Sequence, residues 1–228
     1  MLPEVICDQN TRDKLGEDGL AEVRASLWAQ DCQSCGRPLG SGPPALCVDD
    51  VSEFATASLH HPRCRPARWN DGSVIYAAGG DMVSWCARTF MLPAMAGRKA
   101  DPRPVLLVNP GLEMIMLEPG GGTWRPAYHR QFESLGLVPP GRRLRIDRAV
   151  PGAFARMTAS SVSVTVESPP PQTYDADAEG EILARAQELR GVLLMITHAL
   201  NPATLTGQDI RQLLQSGRVI CGWVAVGA

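Results

Sequence analysis

The hydrophobic positions near the start of the chain recur at helical spacing. Leu20, Val23 and Leu27 follow one another at steps of three and four residues, and Trp28 adjoins the last of them. Residues at these steps lie on one face of a helix, and acidic side chains crowd the early turns, where they suit the helix dipole. The pattern predicts an amphipathic helix over residues 11–30, with an apolar face that packs into a core.

The centre of the chain changes to strand-like patterns. Short runs rich in valine, isoleucine and leucine alternate with proline and glycine turns, which is typical of β-structure. Residues 120–122 are all glycine and predict a hairpin turn, because no Gly-Lys-Ser or Gly-Lys-Thr follows to make a phosphate loop. A short helix is predicted over residues 128–135, closed by Gly136. The predicted strands are residues 45–48, 74–77, 82–85, 105–108, 112–117 and 162–166.

The C-terminal part combines helices with a last strand. An amphipathic helix follows residue 179, and Thr206 is the predicted N-cap of a second helix that Gly217 ends. Residues 191–200 are mainly apolar, so periodicity does not distinguish a continued helix from a buried strand. Residues 218–226 predict a final strand from their β-branched content.

These elements predict an α+β fold. Its parts are an N-terminal helix with a cysteine-rich module over residues 1–70, a mixed β-rich centre over 71–168, and C-terminal helices with a strand over 179–228. Residues 169–178 predict a linker, because successive prolines cannot join a helix interior or a central strand. A single domain over residues 71–228 is the alternative division.

Charge and composition narrow the class of protein. The 228 residues are 44% hydrophobic, which is enough to bury a core, and the net charge is −2. Residues 61–157 nevertheless carry 14 basic and 7 acidic side chains, so this part predicts an electropositive surface. No apolar run reaches the roughly 18 residues of a membrane span, and the start lacks the pattern of a secretory signal. We therefore expect a cytoplasmic protein without a membrane partner.

Two short motifs supply four ligands for a metal ion. Cys32 and Cys35 are three positions apart and precede a glycine, and His61 and Cys64 have the same spacing. A Cys-x2-Cys turn directs both sulfurs to one side, and two residues at i and i+3 meet on one helical turn. Three thiolates and one imidazole suit a tetrahedral Zn²⁺, and four protein ligands make such a site structural. The sequence therefore predicts a closed zinc site.

The order of these motifs resembles a known class of zinc modules. Cys-x2-Cys-Gly, a hairpin-length interval and then His-Pro-x-Cys are similar to the first zinc module of LIM-type and other treble-clef zinc fingers, over residues 32–64 only. The resemblance implies that a knuckle and a helix-borne pair share one Zn²⁺. No second cysteine pair follows Cys64. Cys47 is the main substitute for any of the four ligands, and His60 is the next.

We expect from these features a zinc-stapled binding or adaptor protein, with a protein as its partner and no catalysis. Nucleic-acid binding by the arginine-rich middle is an alternative, because arginines clamp phosphates and tryptophans stack on bases. The candidate contacts are Arg63, Arg65, Arg68, Trp69, Arg142, Arg143 and Arg145.

A metal-dependent hydrolase or HNH-like nuclease is the alternative from another class. A hydrolase at the zinc requires an open metal position and a carboxylate as general base. Asp49, Asp50 and Glu53 are the nearest candidates in the sequence. An HNH-like nuclease, which His60-His61 after the Cys-x2-Cys turn resembles, uses a histidine to activate water beside a separate catalytic metal.

Overall fold

The computed structural model describes residues 4–72, 84–93, 101–127, 130–140, 148–167 and 171–227. The mixed α/β composition, the N-terminal helix and the helical C-terminal part agree with the sequence-based expectation. None of the described helices combines the length and apolar character needed to cross a membrane. The elements are α1 (Gln9–Arg24), β1 (Ala45–Asp50), β2 (Ala55–His60), β3 (Arg68–Asn70), β4 (Cys86–Leu92), β5 (Arg103–Asn109), β6 (Met114–Gly120), β7 (Thr123–Pro126), α2 (Arg130–Glu133), β8 (Ala153–Met157), β9 (Ser161–Val166), β10 (Gln172–Asp177), α3 (Gly180–Leu189), β11 (Gly191–Ile196), a 3-10 turn (Pro202–Thr204), α4 (Gly207–Ser216) and β12 (Ile220–Ala225).

The chain divides into two compact units that are interleaved in sequence. Unit 1 comprises Met1–Trp85 and Pro110–Tyr128, and unit 2 comprises Cys86–Asn109 and His129–Ala228. This division differs from the predicted one, which kept residues 71–168 together. The reason is a long-range pairing: β5 lies parallel to β11 and therefore belongs with the C-terminal strands.

Unit 1 is built on one five-stranded sheet with the order β3-β1-β2-β6-β7. Its apolar side chains form one core with the buried face of α1, which includes Leu15, Leu20 and Val23. The helix ends at Arg24, earlier than predicted, but Leu27 still packs into the same core from the turn that follows. The apolar spacing thus predicted burial correctly and overestimated the length of the helix.

Unit 2 contains a four-stranded sheet, β12-β11-β5-β4, and a three-stranded sheet, β10-β9-β8. The first six residues of the run left open between helix and strand form β11, and all six are buried. Leu194 and Ile196 join the core that includes the three-stranded sheet, whereas Leu193 and Met195 join the core that includes Leu213 of α4. Because both faces are covered, the strand is apolar without alternation.

The predicted linker requires a correction. Its second half is β10, which pairs with β9 in antiparallel register from Gln172 to Asp177 and buries Tyr174 at its centre. The prolines precede this strand, and β10 is at the edge of its sheet, where only one side needs hydrogen-bond donors.

Several local predictions are confirmed. Thr206 caps α4 through a reciprocal capping box with Asp209, and Gly217 ends the helix with φ of 70°. β6 and β7 form a hairpin through the three glycines, as expected. The predicted strand at residues 74–77 lies outside the described residues, as do 82–83.

Gly191 shows how tightly the strands of unit 2 pack, and it supports a stability prediction. A Cβ at this position would lie 2.5 Å from Cε2 of Trp223. We expect Gly191→Ala to lower the free energy of unfolding by about 1–3 kcal/mol, because the indole must move within a packed core. Urea denaturation measures the change. Gly180→Ala is the matched control, because its Cβ would meet no atom within 4 Å; an equal loss in both variants would contradict the packing argument.

Candidate metal centre

The first cysteine pair lies on a tight turn that its own backbone hydrogen bonds define. The N–H groups of Cys35 and Gly36 donate to the carbonyl of Cys32 at 3.2 and 2.8 Å, and the N–H of Cys32 donates to Arg37 at 2.9 Å. Gly36 has φ of 64°, a conformation that glycine adopts without steric cost. The glycine after the second cysteine is therefore a geometric requirement of this turn.

The second pair lies on a single turn after β2. The N–H groups of Cys64 and Arg65 both donate to the carbonyl of His61, at 2.9 and 3.1 Å. Pro66 has no N–H with which to continue this bonding, and the chain proceeds to β3. This differs from the helix-borne pair that the resemblance implied.

The hairpin of β1 and β2 brings the two turns together. The N–H of Gln33 donates to the carbonyl of Leu59 at 3.0 Å, which attaches the first turn to β2 just before the second turn begins. The N–H of His61 then donates to Sγ of Cys32 at 3.2 Å. Ligands separated by the whole hairpin thus become neighbours.

Cys32, Cys35, His61 and Cys64 form a Cys3His group that could hold a metal ion. One ligand atom from each lies within 4.8 Å of all the others. Nδ1 of His61 is 3.5 Å from Sγ of Cys35 and 3.8 Å from Sγ of Cys64. Nε2 of the same ring lies 3.0 Å from the carbonyl oxygen of Pro38, to which it can donate. That bond leaves the lone pair of Nδ1 directed at the sulfurs.

The electrostatics of the three thiols are unequal. Burial opposes ionisation of Cys32, but N–H donors from His61, Ser34 and Cys35 outweigh it and lower the pKa of this thiol to about 7. Desolvation and the neighbouring sulfurs raise the pKa of the exposed Cys64 thiol. Thiolates this close repel one another, and a bound cation would remove that repulsion.

A buried ion pair anchors the second turn to the sheet. Nη1 of Arg65 donates to Oδ2 of Asp49 at 2.9 Å, Nη2 donates to Oδ1 of the same carboxylate, and Asn70 adds a bond at 3.0 Å. Burial of Asp49 is outweighed by these donors, so the pKa of its carboxyl is lowered. Because Arg65 directly follows Cys64, the pair fixes the position of that ligand relative to β1.

The two substitute ligands lie outside the four-residue group. His60 is 3% exposed, with Nδ1 at 2.8 Å from Oγ of Ser34 and Nε2 at 2.8 Å from Oγ of Ser58. Burial and the charge of Arg65 lower its pKa to about 4. Sγ of Cys47 donates to the carbonyl of Pro66 at 3.2 Å, and burial raises its pKa to about 11. The hydrogen bonds of His60 with Ser34 and of Cys47 with Pro66 therefore support the two turns.

Glu113 is a supporting residue that sequence reasoning missed. Its carboxylate is fully buried and accepts hydrogen bonds from the N–H of Asp31 at 3.0 Å and from Nε2 of Gln33 at 3.3 Å. Burial raises the pKa of this carboxyl. A lone acidic residue within the apolar run of residues 112–117 was the available signal, but nothing local indicated that it reaches the first turn.

The nucleic-acid candidates do not share one exposed surface in the described chain. Arg65 and Trp69 are buried, the former against Asp49 and the latter with Nε1 donating to Asp50 at 2.9 Å. Arg63 and Arg68 are exposed. The remaining candidates, Arg142, Arg143 and Arg145, lie outside the described residues.

The carboxylates suggested for catalysis lie away from the metal-binding group. In the β1–β2 register Asp50 pairs with Ala55 at one end of the hairpin, and His60 pairs with Ala45 at the other. Five residues of strand span about 16 Å. Glu53 is in the turn at the far end, and Asp49 is held by Arg65. Among the described residues, no carboxylate belongs to the Cys3His group.

Comparison with known proteins assigns no family to this chain. No protein-family model, curated protein or solved structure matches it. What the Cys3His group can do is therefore inferred from its own geometry.

Proposed function

We propose that the Cys3His group binds one Zn²⁺ with all four positions filled by protein, and that the chain is a zinc-stapled binding or adaptor protein. The observation that carries this proposal is the convergence of four donor atoms, within 4.8 Å of one another, from two turns of unit 1. A zinc ion with four protein ligands has no position left for water or substrate, so it stabilises the fold and takes no part in catalysis.

The distances agree with a tetrahedral ion. Zn–S bonds of about 2.3 Å and Zn–N bonds of about 2.0–2.1 Å place a sulfur and a nitrogen about 3.6 Å apart in a tetrahedron. Nδ1 of His61 lies 3.5 Å from Sγ of Cys35 and 3.8 Å from Sγ of Cys64. The donors therefore need only small movements to enclose the ion.

The donor chemistry favours zinc. Ca²⁺ and Mg²⁺ prefer oxygen ligands, whereas thiolates and imidazoles in a tetrahedral arrangement are typical of Zn²⁺. The bond from Nε2 of His61 to Pro38 is the kind of outer contact that fixes the tautomer of a ligating histidine.

A binding role follows from what surrounds the ion. The zinc closes the chain between Cys35 and His61 and so fixes the β1–β2 hairpin, while no described carboxylate is among the clustered donor atoms. A surface held in one conformation binds a partner at a lower entropic cost. This supports an adaptor with a protein partner over a hydrolase.

Metal analysis of the purified protein tests the proposal directly. We expect about one equivalent of zinc, and Co²⁺ in its place should give intense visible bands of tetrahedral thiolate coordination. Inductively coupled plasma mass spectrometry and absorption spectroscopy provide these measurements. Less than about half an equivalent of zinc, with no uptake from added Zn²⁺, would contradict the proposal.

A further inference from the structure

The three thiols of the Cys3His group differ in their access to solvent. Cys35 and Cys64 are exposed, whereas Cys32 is buried. The two exposed residues belong to different turns, since Cys35 lies before β1 and Cys64 lies after β2. A reagent dissolved in water can therefore reach one thiol of each turn.

The two exposed thiols are also close enough to react with each other. The ligand atoms of the group all lie within 4.8 Å of one another. A disulfide has an S–S bond of about 2.05 Å, so movement of the two side chains has to close a gap of less than about 3 Å. Neither side chain belongs to the core of unit 1, which includes Cys32. Cys35 and Cys64 can therefore move toward each other without disturbing that core.

Cys32 is held differently from the other two thiols. Its Sγ accepts the N–H of His61 at 3.2 Å, and its side chain packs in the core of unit 1. Hydrogen-bond donors that stabilise a thiolate also reduce its nucleophilicity, and burial excludes dissolved oxidants. Cys32 is therefore the ligand least suited to disulfide formation.

The other four cysteines of the chain are poor competitors for an oxidant. All four lie outside the Cys3His group. Burial raises the pKa of each thiol, to about 11 for Cys47 and about 12 for Cys221, and in the same direction for Cys7 and Cys86. A thiol with a raised pKa contains less thiolate and reacts slowly with peroxide. A mild oxidant is therefore directed to the exposed ligands.

We propose that the zinc site is a redox switch, in which hydrogen peroxide joins Cys35 to Cys64 as a disulfide and Zn²⁺ is released. The switch rests on the zinc site proposed above. One thiolate attacks the peroxide, breaks its O–O bond and becomes a sulfenic acid, and hydroxide leaves. The second thiolate attacks that sulfur, forms the S–S bond and displaces a second hydroxide. Two electrons thus pass from the two sulfurs to the peroxide, and protons from solvent convert both hydroxides to water.

Oxidation exchanges one link between the two turns for another. Zn²⁺ would keep only Cys32 and His61 as ligands, and two protein ligands do not retain it against a chelator. The disulfide closes the 28 residues between Cys35 and Cys64, which include the whole β1–β2 hairpin. The oxidised chain therefore loses the metal and keeps the two turns together, and reduction of the disulfide restores the site.

Peroxide titration of the zinc-loaded protein tests the proposal. Zinc content is measured first in reducing buffer, and a zinc-binding dye then follows release. We expect release of about one equivalent of zinc, a mass lower by two hydrogen atoms, and rebinding after dithiothreitol is added. Peptide mapping by mass spectrometry should find Cys35 linked to Cys64. Absence of zinc in reducing buffer would contradict the zinc site itself, whereas zinc retained in peroxide, or a link to Cys32, would overturn only the switch.

The melting temperature of the oxidised protein provides a second measurement. We expect it to exceed that of the reduced, chelator-stripped protein by more than about 5 °C, because the disulfide closes a loop that is open without metal. Differential scanning calorimetry of the two zinc-free forms measures the difference. Equal melting temperatures would show that no bond joins the two turns, and the proposal would fail.

Protein variants identify the reacting thiols. Cys64→His keeps four nitrogen or sulfur ligands and removes one reactive thiol, so it should bind zinc and release it to peroxide at least about fivefold more slowly. Cys7→Ser/Cys86→Ser is the matched control, because it removes two half-buried thiols outside the group and should release zinc at the wild-type rate. Release from Cys64→His at the wild-type rate would overturn the proposal. If this variant does not bind zinc, peptide mapping of the wild-type protein decides which thiols react.

Discussion

Cys64→Ser is expected to lose stoichiometric zinc and to lower the melting temperature by more than about 10 °C. The side chain is exposed and has no apolar packing to lose, so its removal acts through the metal. The proposed zinc ion, shared by both turns, would close a loop of 25 residues between Cys35 and His61. By analogy with a covalent cross-link, such closure is worth about 3–4 kcal/mol. For a unit of this size, that corresponds to the stated shift.

Metal analysis and differential scanning calorimetry check this expectation, and Cys47→Ser is the matched control. Cys47 lies in the same unit and donates to Pro66, which a serine hydroxyl can also do. We expect Cys47→Ser to retain its zinc. A chelator should destabilise the wild-type protein and have no effect on Cys64→Ser. Retention of zinc by Cys64→Ser together with its loss from Cys47→Ser would show that the ligand assignment is wrong.

The ligand group could be predicted from the sequence because its determinants are local. Each pair is set by a turn of four residues, and Gly36 marks the conformation that the first turn needs. The interval between the pairs has the length of a hairpin, and the register of β1 with β2 brings His60 beside Ala45. Two residues of one turn are close in the sequence and close in the fold. Their spacing therefore predicts which side chains converge.

The supports of the site and the division into units could not be predicted, because they depend on distant pairings. The contact of Glu113 with Asp31 spans 82 positions, and the pairing of β5 with β11 joins Val105 to Leu193, which are 88 positions apart. β10 was assigned to a linker because the prolines dominated the local signal, although Tyr174 fills the core next to them. Whether such a segment pairs with another strand depends on tertiary contacts, which the local sequence does not show.

Arg65 is a further residue whose surroundings depend on contacts between distant parts of the chain. Its sequence context, between other arginines and before Trp69, indicated phosphate contacts. In the fold its guanidinium is buried against Asp49, which is 1% exposed. A charge in this position serves to hold the second ligand turn, and its removal has a calculable consequence.

Asp49→Asn is expected to lower the free energy of unfolding by about 3–5 kcal/mol, because it removes the buried negative charge that accepts two hydrogen bonds from the guanidinium of Arg65. Urea denaturation followed by circular dichroism measures the loss. Glu53→Gln removes an exposed carboxylate in the turn after β1 and should change stability by less than about 0.5 kcal/mol.

A double substitution separates the ion pair from the metal. Asp49→Leu/Arg65→Met replaces both charges by apolar groups, and it should recover most of the stability that Asp49→Asn loses, because neither of the two buried charges remains. Zinc content should stay near one equivalent in the double variant, since its four ligands are intact. If the double variant were as unstable as Asp49→Asn, the loss would come from the packing of the site and not from the broken charge interaction. If Asp49→Asn and the double variant both lost their zinc, the ion pair of Asp49 and Arg65 would be needed to bring Cys64 to the metal.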